Sequence, residues 1–273
     1  MKNMVHQIFY DGKSQNSLDA GFIPLSNVEN RRPDWYELWV IKNFLENTRL
    51  TEGAWYGFLS PKFHLKTRLR ASDTHGFLKT VDPSVEAVTI SYSWEQIAYF
   101  LNPFEQGDLF HPGLARVSQQ FFDLIGLKVD LAKLVGHSGN SAFCNFIIAK
   151  PAYWAKWLEI ATAFFDFVEK NDTALARELG GTTNYGSVRH QTPMKTFVQE
   201  RFPSVILSTN PFRTEVLDVS HLQPMFARLF DEHPRTRRLL LTCDALKREY
   251  SESGNPDLLN AYWKLRSRIP TKF

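Results

Sequence analysis

Several groups of residues in this chain have the types and spacing to do chemistry. The island Glu105-Gln106-Gly107-Asp108, followed by His111-Pro112-Gly113, sets two carboxylates and an imidazole among glycines and a proline. A carboxylate or imidazole can accept or deliver a proton, and a glycine-rich turn lets backbone approach a ligand closely. The same residues also fit a plain exposed loop between helices, with His111 capping the helix that follows. Lys62, Lys66 and Arg68 follow an aromatic run, 55–59, where their charge could meet a phosphate. Lys62 and Lys66, four residues apart, equally describe one solvated helix face.

Residues at three further places along the chain bear on ligand binding. Asn145 lies between Phe143 and Phe146, and a buried amide needs partners, either a ligand hydroxyl or the backbone. Tyr10 and Asp11 end the first strand-like run, at the edge where open α/β sheets bind ligands. A turn-forming Asp beside Gly12 is the plainer reading of Asp11. Glu200 and Arg201 are neighbours on one helix-like segment, so they point in different directions and do not easily share one small ligand. An internal ion pair is the alternative for one of them.

The chain contains no Gly-x-Gly-x-x-Gly after its first strand, no Gly-x-x-x-x-Gly-Lys loop and no Gly-x-Ser-x-Gly elbow. Dehydrogenase, P-loop and hydrolase readings lose ground accordingly. The eight histidines are scattered singly, and the two cysteines, Cys144 and Cys243, have no metal-ligand spacing. A structural metal is not expected, and both cysteines read as reduced core thiols.

The elements that must position these residues alternate between strand and helix. Strand-like runs fall at 5–10, 55–59, 85–91, 142–149 and 205–208. Helical spacing covers 35–45, 94–101, 114–125, 151–169 and 193–202, with further helices bounded by Pro224, Pro234 and Pro256. Residues 105–108 read as loop. This alternation predicts an α/β fold with a largely parallel sheet flanked by helices. Residues 1–215 form one expected domain, and 216–273 a C-terminal helical extension packed on the same core.

Hydrophobic residues make up 43% of the 273 and charged residues 22%, which excludes a disordered chain. The 22 phenylalanines and an aromatic share of 14% suit a dense core or the walls of a sugar or base pocket. A net charge of +3 without a concentrated basic stripe argues against nucleic acid as partner. Arg235, Arg237, Arg238, Lys247 and Arg248 read as a solvated helix face. No signal-like or membrane-spanning run is present. The expected location is cytoplasmic, with any membrane contact peripheral at the inner face.

The order of several segments resembles bacterial capsule and lipopolysaccharide glycosyltransferase-like domains, which are small and GT-A-like. The run Asn145-Phe146-Ile147-Ile148-Ala149 and the following Pro151-Ala152-Tyr153-Trp154-Ala155-Lys156-Trp157-Leu158 look like that group's Asn-containing strand and aromatic helix. Phe197-Val198-Gln199-Glu200-Arg201-Phe202, ahead of Val205-Ile206-Leu207, resembles its Glu-Arg pair before an apolar strand. Asn30 to Glu37, then Tyr56-Gly57-Phe58, resemble its earlier segments, and the Glu105 to Gly113 island resembles a motif of related polysaccharide-cluster proteins. The likeness touches most of residues 5–210.

The resemblance implies a GT-A-like, Rossmann-like sheet and transfer of a hexose from a nucleotide sugar, UDP-linked by expectation, to a glycan or lipid-linked saccharide acceptor. Many GT-A enzymes hold a divalent metal on an Asp-x-Asp, which this chain lacks; Tyr92-Ser93-Trp94-Glu95 follows the central strand instead. Mg or Mn on separate acidic residues is therefore one option, and no required cofactor is the favoured one. The leaving diphosphate then falls to Lys62, Lys66 or Arg201, and deprotonation of the acceptor hydroxyl to Glu105, Asp108 or His111. Asp11, Tyr10 and Asn145 complete the expected nucleotide-sugar contacts. A non-catalytic glycan-binding or assembly subunit with the same fold is the competing expectation.

Overall fold

A computed structural model describes residues 3–184, 191–226 and 228–273. Six strands form the main sheet: β1 (Asn3–Phe9), β2 (Ile23–Ser26), β3 (Trp55–Leu59), β4 (Ala87–Ile90), β5 (Ile147–Ala149) and β8 (Thr214–Leu217), in the order β2-β1-β3-β5-β4-β8. β1 pairs in parallel with β2 and β3, and β4 in parallel with β8. β5 runs antiparallel to both its neighbours. A separate ribbon pairs β6 (Thr182–Asn184) with β7 (Gln191–Pro193). The fold is thus α/β, with a mostly parallel six-stranded sheet flanked by helices, compatible with a Rossmann-like arrangement.

Helices follow the strands in chain order: α1 (Gly12–Asn16), α2 (Tyr36–Asn47), α3 (Phe63–Thr67), α4 (Ala71–Thr80), α5 (Trp94–Tyr99), α6 (Pro103–Phe110) and α7 (Leu114–Leu124). Then come α8 (Pro151–Lys170), α9 (Ala174–Gly180), α10 (Met194–Gln199), α11 (Phe202–Thr209), α12 (Pro234–Ser253) and α13 (Pro256–Arg266). The alternation of side chains along β3 explains the two apolar layers. Tyr56 and Phe58 point to the layer holding Leu38 and Ile41 of α2, Phe121 of α7 and Trp154, Trp157 and Phe164 of α8. Trp55 and Leu59 point to the other, with Phe63 of α3 and Leu78 of α4.

α8 shows why its sequence folds as it does. Pro151 starts the helix where its missing N–H costs nothing. Trp154 sits on the buried face and donates from Nε1 to the Tyr56 carbonyl at 3.1 Å. Gly57 lies opposite Ile148, where a Cβ would stand 3.0 Å from the Ile148 side chain and 3.2 Å from that of Val5.

Three expectations about secondary structure are corrected. Residues 105–108 are not a loop but the middle of α6. Asn102 caps this helix by accepting from the N–H groups of Phe104 and Glu105, and Pro103 occupies its first turn. Gly107 belongs inside it because a Cβ there would lie 2.6 Å from the Arg201 guanidinium. Residues 205–208 are not a strand but part of α11, and the strand beside β4 is β8. An apolar run buried on all sides carries no period to separate the two states. The Glu-Arg segment is therefore followed by a helix, unlike the strand expected from the resemblance. Of residues 142–149 only the last three pair as strand, since Cys144 and Asn145 take left-handed backbone angles of φ 57° and 52°.

The C-terminal helices α12 and α13 pack on α5 through an apolar cluster of their own, joining Trp94, Ala98 and Tyr99 to Leu240, Cys243 and Tyr262. The basic residues of this region are not one solvated face. Lys247 is fully buried and donates to the carbonyls of Ile97 and Phe100 at 2.5 and 2.6 Å, and burial pushes its ammonium down to about 8. Arg237 lies 4.8 Å from the Trp94 ring centre and donates to the Ser220 carbonyl. Among the described residues no helix is long and apolar enough to cross a membrane.

Candidate functional site

A cluster of polar and ionisable side chains gathers where β1, β3 and β4 end. β1 delivers Tyr10 and Asp11, β3 leads into α3 with Lys66, and β4 delivers Ser91 and Tyr92. Because β5 runs the other way, its entry residues Cys144 and Asn145 arrive at this same edge. Lys66 is the centre of the group. Its Nζ donates to Cys144 Sγ at 3.0 Å and lies 5.6 Å from the Tyr92 ring centre and 5.7 Å from that of Phe146. Glu37, in the first turn of α2, and Glu200, at the end of α10, lie within electrostatic reach of it.

The electrostatics of the cluster follow from burial. Removal from water pushes the half-buried Glu37 carboxyl up to about 7, with Lys66 opposing the rise and Glu200 adding to it. Burial raises Glu200 as well, against the pull of Arg201 and Lys66. Cys144 is pushed up to about 12 by burial and is a neutral thiol. Burial opposes the charge of Lys66, but its hydrogen bond to Cys144 and the nearby Glu37 carboxylate favour the charged form, and the group lies above the ordinary lysine value. The Tyr10 phenol is raised by burial and then by Glu37 and Asp11. The cluster thus holds one firm cation beside two carboxyls that exchange protons closer to neutral pH than carboxyls usually do.

Asn145 has a side-chain oxygen without a partner, although the residue is only 3% exposed. Ser60, where β3 ends, likewise has an unpartnered hydroxyl and is 5% exposed. Buried polar atoms left unpaired cost about 1–3 kcal/mol each. Left-handed backbone at Cys144 adds strain of about 1–3 kcal/mol, more easily borne by the following Asn. Cost and strain collect at the edge of the sheet where ligands bind in open α/β folds.

The structure sorts the sequence-predicted residues into two sets. Tyr10 and Lys66 come within electrostatic reach of each other, and Asn145 directly follows the Cys144 that Lys66 contacts. Asp11 stands beside them but spends its carboxylate capping α1, accepting from the Ser14 N–H and hydroxyl, both at 2.6 Å. These bonds hold it below the usual carboxylate range. Lys62 is exposed in the turn that begins α3. Arg201 faces the interior, donating to the Pro103 carbonyl at 2.7 Å, the Phe197 carbonyl at 2.5 Å and Gln106 Oε1 at 2.7 Å. Burial pushes its guanidinium down to about 10.

The proposed proton carriers at the α6–α7 corner are committed elsewhere. Glu105 pairs with Arg266 of α13 at 2.6 Å and accepts from the Leu101 N–H at 2.5 Å. Asp108 accepts from the N–H groups of Gly113 and Ala115, at 3.1 and 3.0 Å, and so caps α7 in place of His111. His111 is 4% exposed and stacks on Phe197 with ring centres 3.6 Å apart.

Glu37, Glu200, Cys144 and Tyr92 were given no site role by the sequence, although Glu200 stood out as one half of the Glu-Arg pair and Glu37 as part of a resembling segment. Glu37 looked like any acidic residue in a first helical turn, where the helix dipole favours it. A cleft of about 390 Å³ opens beside the end of β2, lined by Asn27, Glu29, Asn30, Trp39 and Asn43 among others. Among the described residues no group of three or more His, Cys, Asp or Glu is placed to hold a metal ion. The described residues thus form an α/β domain with a cluster of buried polar groups at its strand ends. No protein-family model, curated protein or solved structure matches the chain.

Proposed function

We propose that this chain is a sugar-nucleotide-dependent glycosyltransferase of GT-A-like organisation, acting at the cluster around Lys66. The observation that carries the reading is the pair of burial-raised carboxyls, Glu37 and Glu200, flanking one firm cation at the strand ends. Glycosyl transfer needs a cation where negative charge grows on the leaving diphosphate and a base for the acceptor hydroxyl. Lys66 meets the first need without an Asp-x-Asp metal. Glu37, at about 7, meets the second, because a general base works best when its pKa lies near the working pH. This role passes to it from Glu105 and Asp108, whose carboxylates are taken up by Arg266 and the α7 cap. Asn145 offers its unpartnered oxygen to a sugar hydroxyl, and Tyr10 borders the nucleotide.

The donor is a UDP-sugar in this reading, and the acceptor a surface glycan or lipid-linked saccharide reached from the cytoplasmic side. The test is a thermal-shift panel of nucleotide sugars with the intact chain. UDP or a UDP-sugar at 100 times its dissociation constant adds about 2.7 kcal/mol of stability, and Lys66→Met should abolish the shift. A panel without any shift sinks the proposal. Loss of binding in EDTA would replace Lys66 by a divalent metal at the diphosphate.

A further inference from the structure

A second cavity, of about 240 Å³, opens between the carboxyl ends of β4 and β8 and the helix α12. We propose that it binds one neutral sugar unit of the acceptor glycan; the identification as an acceptor subsite rests on the glycosyl-transfer reading above. The end of β4 separates the two sites. Ser91 lines this cavity, whereas its neighbour Tyr92 lies over Lys66 in the cluster. An acceptor held here stands on the other side of one strand end from the proposed donor.

The lining is assembled for hydroxyl recognition. Ser91 and Ser220 each donate a hydroxyl to Asp218 at 3.0 Å. Ser138 donates to Asp244 through its N–H at 2.8 Å and its hydroxyl at 2.6 Å, and Arg248 donates to that hydroxyl at 2.7 Å. These bonds fix the orientation of both carboxylates yet leave acceptor capacity on them, since an ionised carboxylate takes about four hydrogen bonds. Trp94 also lines the cavity, with the Arg237 guanidinium 4.8 Å from its ring centre. Two fixed acceptors, a guanidinium and an aromatic ring suit the alternating hydroxyls and apolar face of a pyranose.

Charge and size narrow the class. Asp218 and Asp244 outnumber the single cation of the lining, Arg248, so phosphorylated sugars and uronic acids are disfavoured and neutral sugars admitted. The volume lies below the range of about 300–1,000 Å³ usual for larger organic ligands. One ring fits, and the rest of the glycan lies outside.

The test uses ligand-observed saturation-transfer NMR on the full chain with the methyl glycosides of glucose, galactose and mannose, and methyl glucuronide as the anionic control. UDP affinity is measured in parallel. The expected result is that at least one neutral glycoside binds, methyl glucuronide does not, and Asp218→Asn and Arg248→Gln each weaken binding about tenfold or more with UDP affinity unchanged. UDP binding together with no neutral glycoside binding, or glycoside binding that both variants leave intact, overturns the subsite while the donor reading stands. Glycoside binding that responds to both variants in a chain that binds no nucleotide keeps the saccharide site and removes its role as acceptor. Preference for the glucuronide overturns the charge argument and the proposal with it.

Discussion

The Lys66 cluster and the α6–α7 corner both concentrate ionisable side chains, yet they spend them in opposite ways. At the corner, Glu105 and Asp108 have their oxygens taken by Arg266, by the Leu101 N–H and by the α7 cap. In the cluster, Glu37 and Glu200 are driven up by burial, and Asn145 keeps an unpartnered oxygen. The corner converts charge into stability. The cluster holds groups whose desolvation is only partly compensated, and this is the condition under which a site gains from a ligand.

The sharpest way to break this comparison is to remove one carboxyl from each region. Glu37→Gln is expected to lower kcat by about 10²–10⁴, the usual contribution of a general base, in a nucleotide-sugar assay. Glu105→Gln is expected to lower the unfolding midpoint while leaving kcat within a few-fold of wild type. Turnover that survives in Glu37→Gln but vanishes in a folded Glu105→Gln would reverse the roles of the two regions.

Stability against pH tests the same contrast with a smaller effect. The folded chain keeps the Glu37 proton up to about pH 7, whereas the unfolded chain releases it near 4.5. This contribution to stability is therefore fully present below about pH 4.5 and is lost as pH rises through about 7. Burial does the same to Glu95 on α5, 3% exposed and also pushed up to about 7. His137 works in the other direction. Burial lowers it to about 4 from 6.5, so its contribution is present above pH 6.5 and is lost as pH falls toward 4. Glu37→Gln and Glu95→Gln are each expected to be more stable than wild type in urea at pH 8, by up to about 3 kcal/mol, with the difference vanishing at pH 4.5. For Glu37 such a gain would accompany lost activity, as when a strained functional group is replaced. Equal midpoints at the two pH values would remove the electrostatic basis of the cluster.

Much of the fold was legible because its periods were unambiguous. Residues 55–59 emerged as β3, the 151–169 stripe as α8, and the strand–helix alternation as a mostly parallel sheet. Residues 205–208 failed because Val205, Ile206 and Leu207 are buried from every side, which erases the difference between a period of 2 and one of 3.6. The site was half legible. Lys66 and Asn145 stood out by type and neighbourhood, but Glu37 matters through partners at positions 66 and 200. Only the chain's return to the same edge reveals them. Glu105, Gly107 and Asp108 misled because a glycine between acidic residues resembles a turn, while here it leaves room for Arg201.

That glycine supplies the last way to sharpen the comparison. In an exposed helix Gly→Ala is expected to stabilise by roughly 1 kcal/mol, through reduced backbone entropy. Gly107 lies in α6, but a Cβ there would stand 2.6–2.7 Å from three guanidinium atoms of Arg201. That group is fixed by bonds to Pro103, Phe197 and Gln106 and cannot swing aside without breaking them. Overpacking of this kind costs about 1–3 kcal/mol, so Gly107→Ala is expected to destabilise despite its better helix propensity. Glu200 is the residue next to Arg201, and a displaced guanidinium would also reach the cluster through it. A stabilised Gly107→Ala, measured by urea unfolding, would mean that Arg201 moves freely, and that the corner is not the rigid support which the contrast with the cluster requires.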